Sequence, residues 1–172
     1  MIYLLRHFKV IDGSEVMMNS ERFDRWVDDY DRYALEYTDV SFPLVDTIYC
    51  STMQRCRKSA DYFHLDSIIS ETLIEVASKA AFQTRIKFPK SFWLLIDRIS
   101  WYFNRSKHEN RSDTIKRADE FINTLDTSKD LLIISHGLFL KVLCQRLKLR
   151  GYHGDVGLSM KNGRIYKLEV AK

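Results

Sequence analysis

Three short apolar runs end in side chains that could act together on one anion. Leu4-Leu5-Arg6-His7 closes in a guanidinium and an imidazole, and Ile133-Ile134-Ser135-His136-Gly137 closes in a second imidazole with glycine at a helix start. Tyr49-Cys50-Ser51-Thr52-Met53-Gln54-Arg55 leads through a polar turn to another guanidinium. Ligands of α/β sheets gather beyond the carboxyl ends of the strands. If the three runs are neighbouring parallel strands, Arg6, His7, Arg55 and His136 therefore converge on one pocket. Two forked guanidiniums suit a phosphate, and helix N-termini after Ser51 and Ser135 add N–H groups and positive dipole. An imidazole in that field can attack phosphorus to give a phosphohistidine, while the second imidazole and the arginines neutralise the equatorial oxygens. The departing alkoxide needs a proton, which a carboxylic acid can hold because nearby phosphate charge favours its neutral form. Glu75, just after Leu73-Ile74, is the candidate, with Glu71 as its rival.

These residues need a scaffold of alternating strands and helices. Ile2–Leu5, Thr47–Cys50, Ser67–Ile69 and Leu131–Ser135 read as strands, separated by longer segments of helical spacing. Met53, Cys56, Ala60 and Phe63 share one face over Ser51 to Phe63. Ile115, Ala118, Ile122 and Leu125 do so over Asn110 to Leu125, and Leu140, Val142, Leu143 and Leu147 over Leu138 to Leu147. Lys161-Asn162-Gly163 predicts the turn of a terminal hairpin over Gly157 to Val170. The pattern predicts an α/β fold, a three-layer α/β/α sandwich with a mainly parallel central sheet. Ser51 and Ser135 read as helix caps, Cys50 as a buried small residue, and His64, His108 and His153 as surface positions.

The 172 residues include 27 Lys+Arg, 23 Asp+Glu, 45% hydrophobic residues and two prolines, the profile of one domain over residues 1–172 with its own core. Three cysteines and no Cys/His ligand run argue against a disulfide scaffold or a zinc module and for a reducing cytoplasm. No carboxylate cluster for Mg²⁺ stands out, so neither metal nor cofactor is expected. No apolar stretch approaches eighteen residues, and a net charge of +4 is too small to argue for nucleic acid. The expected partner is a small phosphomonoester, with no nucleic acid or membrane, and oligomeric state is left open. Charge is nonetheless segregated: Asp12 to Asp39 holds nine acids and three bases, whereas Val76 to His108 holds seven bases and one acid. The latter segment is aromatic as well as basic, and reads as an insertion or lid over 76–108, with Pro89 leading a helix.

The chain resembles the histidine phosphatase superfamily, the phosphoglycerate mutase-like fold. Leu5-Arg6-His7 is similar to the start of that family's L-R-H-G signature, and Ser51 to Ala60 to its S-x-L-x-R-A-x-x-T-A helix start. Leu73-Ile74-Glu75 resembles its L-x-E acid, and Ser135-His136-Gly137 its S-H-G element. Glu109, Asp113 and Arg117 resemble the spacing of its G-E-S-x-x-D-x-x-x-R helix. The resemblance implies His7 as phosphoryl acceptor, Arg6, Arg55 and His136 as the rest of the phosphate pocket, and Glu75 as proton donor. The implied activity is a metal-independent phosphomonoesterase. A phosphomutase or phosphotransferase of the same fold and a non-catalytic phosphate-binding regulatory protein are the alternatives. Phe8 stands where the family has glycine, Val10 where Thr or Ser often lines the pocket, and Val76 to Ala80 lacks the family's residues after the acid. A phenylalanine resists positive φ, so Phe8 predicts either a different loop shape or a ring shielding the imidazole.

Overall fold

A computed structural model describes residues 1–157 and 159–170. In chain order the elements are β1 (Ile2–Arg6), β2 (Lys9–Val10), β3 (Met17–Met18), α1 (Ser20–Tyr30), β4 (Leu35–Glu36) and β5 (Thr47–Ser51). There follow α2 (Gln54–Tyr62), β6 (Ile68–Ser70), a 3-10 turn (Glu71–Leu73), β7 (Phe88–Pro89) and α3 (Lys90–Tyr102). The chain continues through α4 (Arg111–Asn123), β8 (Leu131–Ser135), α5 (Gly137–Leu149), β9 (Tyr152–His153) and β10 (Ile165–Val170).

Six strands form the central sheet in the order β6-β5-β8-β1-β10-β9. The β6/β5, β5/β8 and β8/β1 pairs are parallel, and β10 joins β1 and β9 antiparallel. Strand β8 explains the layering, since all five of its residues are buried and successive side chains point to opposite faces. Leu131 and Ile133 enter one core with Ile2, Leu4 and the inner faces of α4 and α5. Leu132 and Ile134 enter another with Leu5 and, from α2, Cys56 and Ala60. Helices thus cover both faces, and the architecture is the expected α/β/α sandwich. Smaller ladders, β2/β4 and β3/β7, lie outside the sheet.

The oppositely charged segments meet rather than forming separate faces. Within the acidic one, Phe23, Trp26, Val27 and Tyr30 recur at helical spacing as α1, a helix that reading its charge alone does not give. Asn19 caps α1 by accepting from Arg22 N at 3.0 Å. Phe23, Trp26 and Val27 pack with Trp93, Phe92 and Leu94 of α3, while Lys90 pairs with Asp12 at 2.7 Å. The helix after Pro89 forms as expected. The terminal hairpin does not: Ser159 and Met160 form no strand, Leu158 lies outside the described residues, and β10 pairs with β1 and β9 instead. The predicted turn at Asn162 and Gly163 is present, and it docks on the His7 loop. Gly163 N donates to Arg6 O at 3.0 Å, and Asn162 Nδ2 to His7 O at 2.9 Å. Gly163 has φ +63° and lies so close to Phe8 and Thr38 that a Cβ would clash with both. His64, His108 and His153 are exposed.

Candidate active site

Because β5, β8 and β1 are adjacent and parallel, their carboxyl ends lie on one edge, and the β1/β8 register sets Arg6 opposite Ser135. His7 N extends the ladder by donating to Ser135 O at 3.0 Å. The two imidazoles consequently meet with ring centroids 5.2 Å apart. Arg55, in the first turn of α2, reaches between them, its Nε–H 3.2 Å from His7 Nε2 and 3.1 Å from His136 Nδ1. Those bonds and the remaining ones assign the tautomers. His7 Nδ1–H donates to Phe8 O at 2.6 Å, leaving Nε2 with its lone pair, and His136 Nε2–H donates to Ser51 Oγ at 3.0 Å. Burial and the adjacent guanidiniums of Arg55 and Arg6 lower the pKa of His7 to about 3, the Phe8 hydrogen bond opposing them. Burial, then Arg55, also holds His136 well below the ordinary imidazole range.

The arginines are fixed from behind. Asp31, at the C-cap of α1, accepts from Arg55 Nη1 at 3.0 Å, and from the backbone N–H groups of Gln54 and Arg55 at 2.9 and 3.2 Å. Arg6 Nη1 donates to Met160 O at 2.8 Å. A Cβ on Gly137 would stand 2.9 Å from Arg6 Cζ, so glycine at the first residue of α5 makes room for that guanidinium. Glu75 lies across the second helix start: Oε1 accepts from Val76 N at 2.9 Å and Phe139 N at 3.1 Å, and Oε2 from Leu138 N at 3.3 Å. The N–H groups of Gln54, Arg55, Leu138 and Phe139, expected to face an anion, are thus occupied by two carboxylates remote in sequence. Ser51 and Ser135 cap neither helix. Ser51 Oγ is the partner of His136, and Ser135 Oγ–H donates to Leu73 O at 2.6 Å.

Arg6, His7, Arg55 and Glu75 line one cavity of about 310 Å³. His136, fully buried, stands behind Arg55 and is absent from the cavity wall. Glu71 is exposed and faces elsewhere. The rest of the wall comes from Trp26, Val27 and Tyr30 of α1, Met53, the irregular segment 76–78, and Leu94 and Arg98 of α3. Phe8 does not shield the imidazole. Its backbone avoids positive φ, and its buried ring packs against Tyr37, Tyr62 and Phe63. The α1 residues were detectable through their spacing. Asp31 leaves no local signal, because it caps a helix that begins 23 residues later.

Arg117 completes the support of Glu75 from α4. Its Nη1 donates to Thr72 O at 2.7 Å and Ile74 O at 2.9 Å, and Glu109 holds its other nitrogens at 2.8–3.2 Å. Asp113 instead closes a capping box, accepting from Asn110 N at 3.0 Å.

Solved structures share this architecture. An open-reading-frame product of Mycobacterium tuberculosis aligns over 98% of this chain and 95% of its own with a TM-score of 0.57 and 16% identity. A mycobacterial glucosyl-3-phosphoglycerate phosphatase aligns over 98% and 96% with 0.56 and 13%. The alpha-ribazole phosphatase of Shigella flexneri aligns over 96% and 95% with 0.50 and 17%. No curated protein sequence matches the chain. The family profile of the histidine phosphatase superfamily, branch 1, matches residues 32–172, beginning beyond Arg6 and His7 and taking in Arg55, Glu75 and His136. With that match over most of its length, and with the fold agreeing, the chain belongs to the histidine phosphatase superfamily.

Proposed function

We propose that the protein is a phosphomonoesterase working through a phosphohistidine at His7 on a small phosphorylated metabolite. The observation that carries this reading is the Nδ1–H bond of His7 to Phe8 O, which leaves the Nε2 lone pair beside Arg55 in a cavity shared with Arg6 and Glu75. A bound phosphoryl group takes over as acceptor for the Arg55 Nε–H, freeing Nε2. The lone pair of Nε2 attacks phosphorus, the ester P–O bond breaks, and Glu75 gives its proton to the departing oxygen. Oε2 of Glu75, with one long N–H bond, is the better placed to carry that proton. Water then attacks phosphorus, Glu75 takes a proton from it, the P–N bond breaks, and phosphate leaves. Arg6 and Arg55 supply the compensating positive charge, so the scheme calls for no metal. His136 acts through Arg55 as a positioning residue.

Quenching a turnover without acid and weighing the intact protein tests the reading. A phosphoryl adduct is expected on the native chain and none on His7→Ala, which should also be inactive. Undiminished turnover by His7→Ala would overturn it. Transfer to an added alcohol in place of water would point to the phosphotransferase alternative, and tight phosphate binding with no turnover to the regulatory one.

A further inference from the structure

Asp31 closes α1 and lies outside the cavity wall, yet three of its hydrogen bonds run to the start of α2. Oδ2 accepts from Gln54 N at 2.9 Å, and Oδ1 from Arg55 N at 3.2 Å and Arg55 Nη1 at 3.0 Å. Capping α2 requires only the two backbone bonds. The third orients a side chain. With Nη1 held by Asp31 and Nε–H by the imidazoles of His7 and His136, two of the three guanidinium nitrogens are fixed, and with them the plane of the group. The nitrogen with no hydrogen bond to the described residues is Nη2, which shares one edge of the guanidinium with Nε. Once a phosphoryl oxygen replaces the imidazoles at Nε–H, that edge becomes a bidentate fork. Tyr30, the residue before Asp31, lines the cavity, and its ring centroid lies 5.7 Å from Arg55 Cζ. The end of α1 therefore meets Arg55 twice, and Asp31 precedes the residues that the family profile matches.

We infer that Asp31 is the positioning residue of Arg55, holding the Nε/Nη2 edge towards the phosphoryl group in the transition state. This rests on the phosphatase reading and deepens it. A carboxylate this close to an anion site repels the anion, so a chain that only had to bind phosphate would gain nothing from its charge. The gain lies in orientation, because a guanidinium ordered in advance loses no freedom at the moment of reaction. Three roles for Asp31 thus differ in sign. Loss of a mere helix cap lowers stability and leaves the chemistry alone, loss of a mere negative charge tightens anion binding, and loss of a positioning group weakens the transition state more than the ground state.

The test compares Asp31→Asn with the native chain on phenyl phosphate. Asparagine keeps an oxygen for the backbone N–H groups and presents no carboxylate to Nη1. Turnover is expected to fall by roughly 10–100-fold in kcat, with KM changed by no more than about threefold. Inhibition by vanadate, which imitates five-coordinate phosphorus, should weaken by a like factor, and inhibition by inorganic phosphate by no more than about threefold. In an Arg55→Lys background the same substitution should lower kcat by less than about twofold, since the fork is already gone. Full additivity in that background, or vanadate that binds Asp31→Asn as tightly as the native chain or more tightly, would overturn the positioning role while leaving the phosphatase reading intact. A readout free of turnover is the ¹⁵N–¹H signal of Arg55 Nε–H, identified by its loss in Arg55→Lys. Its exchange with solvent should be roughly tenfold faster in Asp31→Asn. If no ester turns over, the phosphatase reading fails and this signal decides alone, an unchanged exchange rate overturning the role of Asp31. Should Asp31→Asn not fold, Asp31→Glu, which keeps the carboxylate and shifts it by one methylene, takes its place with the same signs at about threefold to tenfold.

Discussion

His7 sits where a protonated imidazole is least welcome, 3% exposed and hydrogen-bonded to the guanidinium of Arg55. A pKa of about 3 in the folded chain, against an ordinary 6.5, has consequences of definite sign. Between those values the unfolded chain binds a proton that the folded chain does not, so stability is full above pH 6.5 and falls as pH drops towards 3. The slope is about 1.4 kcal/mol per pH unit for each histidine so held. Urea melts of the native chain and of His7→Gln between pH 7 and pH 5 should differ in slope by about that amount; equal slopes would show that His7 titrates normally. Activity should respond in the opposite way to an ordinary histidine enzyme. kcat/KM of the free enzyme should show no acid limb near pH 6.5 from its nucleophile, because Nε2 keeps its lone pair well below that pH.

Single elements also carry roles that no single residue shows. Helix α4 contributes nothing to the cavity, yet through Arg117 it grips the carbonyls of Thr72 and Ile74, and so sets the backbone that presents Glu75 to the start of α5. Glu75→Gln should lower turnover of alkyl phosphates by roughly 10²–10⁴ and of activated aryl phosphates much less, since the latter leave without a full proton. Arg117→Met should reproduce that selectivity at about tenfold, leave inhibition by inorganic phosphate unchanged, and add nothing in a Glu75→Gln background. Equal loss on both ester classes would make Arg117 a merely structural residue. The sequence makes strands such as β1, β5 and β8 legible because burial on two faces leaves a short unbroken apolar run, and α2, α4 and α5 because burial on one face leaves a period. It also placed Arg6, His7, Arg55 and His136 together, since each lies within a few residues of a strand end. Asp31 reaches the site through the start of α2 and Arg98 through the packing of α3 against α1, and tertiary contacts of that kind write no pattern into the chain. The helix N-termini mislead for the same reason, as their carboxylate caps come from elsewhere.

At the scale of the whole molecule, β1 is the element on which the site depends. It carries Arg6 and leads into His7, yet it lies between β8 and β10, pairing Ile2 with Leu131 on one side and Leu168 on the other. The turn that clamps the His7 loop, Asn162 and Gly163, is equally distant in the chain. Pairings of such long range incur their loop-closure cost before their contacts offset it. The pocket is therefore expected to form after the transition state for folding, with nothing for an anion to grip before it. Phosphate or vanadate should slow unfolding in proportion to occupancy and leave the refolding rate untouched, as stopped-flow chevrons with and without the anion would read. Faster refolding in phosphate would mean that the strand ends meet early. If they meet late, a ribosome must release nearly the whole chain before any anion site is formed, and bound phosphate acts as a brake on leaving the native state, with no part in reaching it.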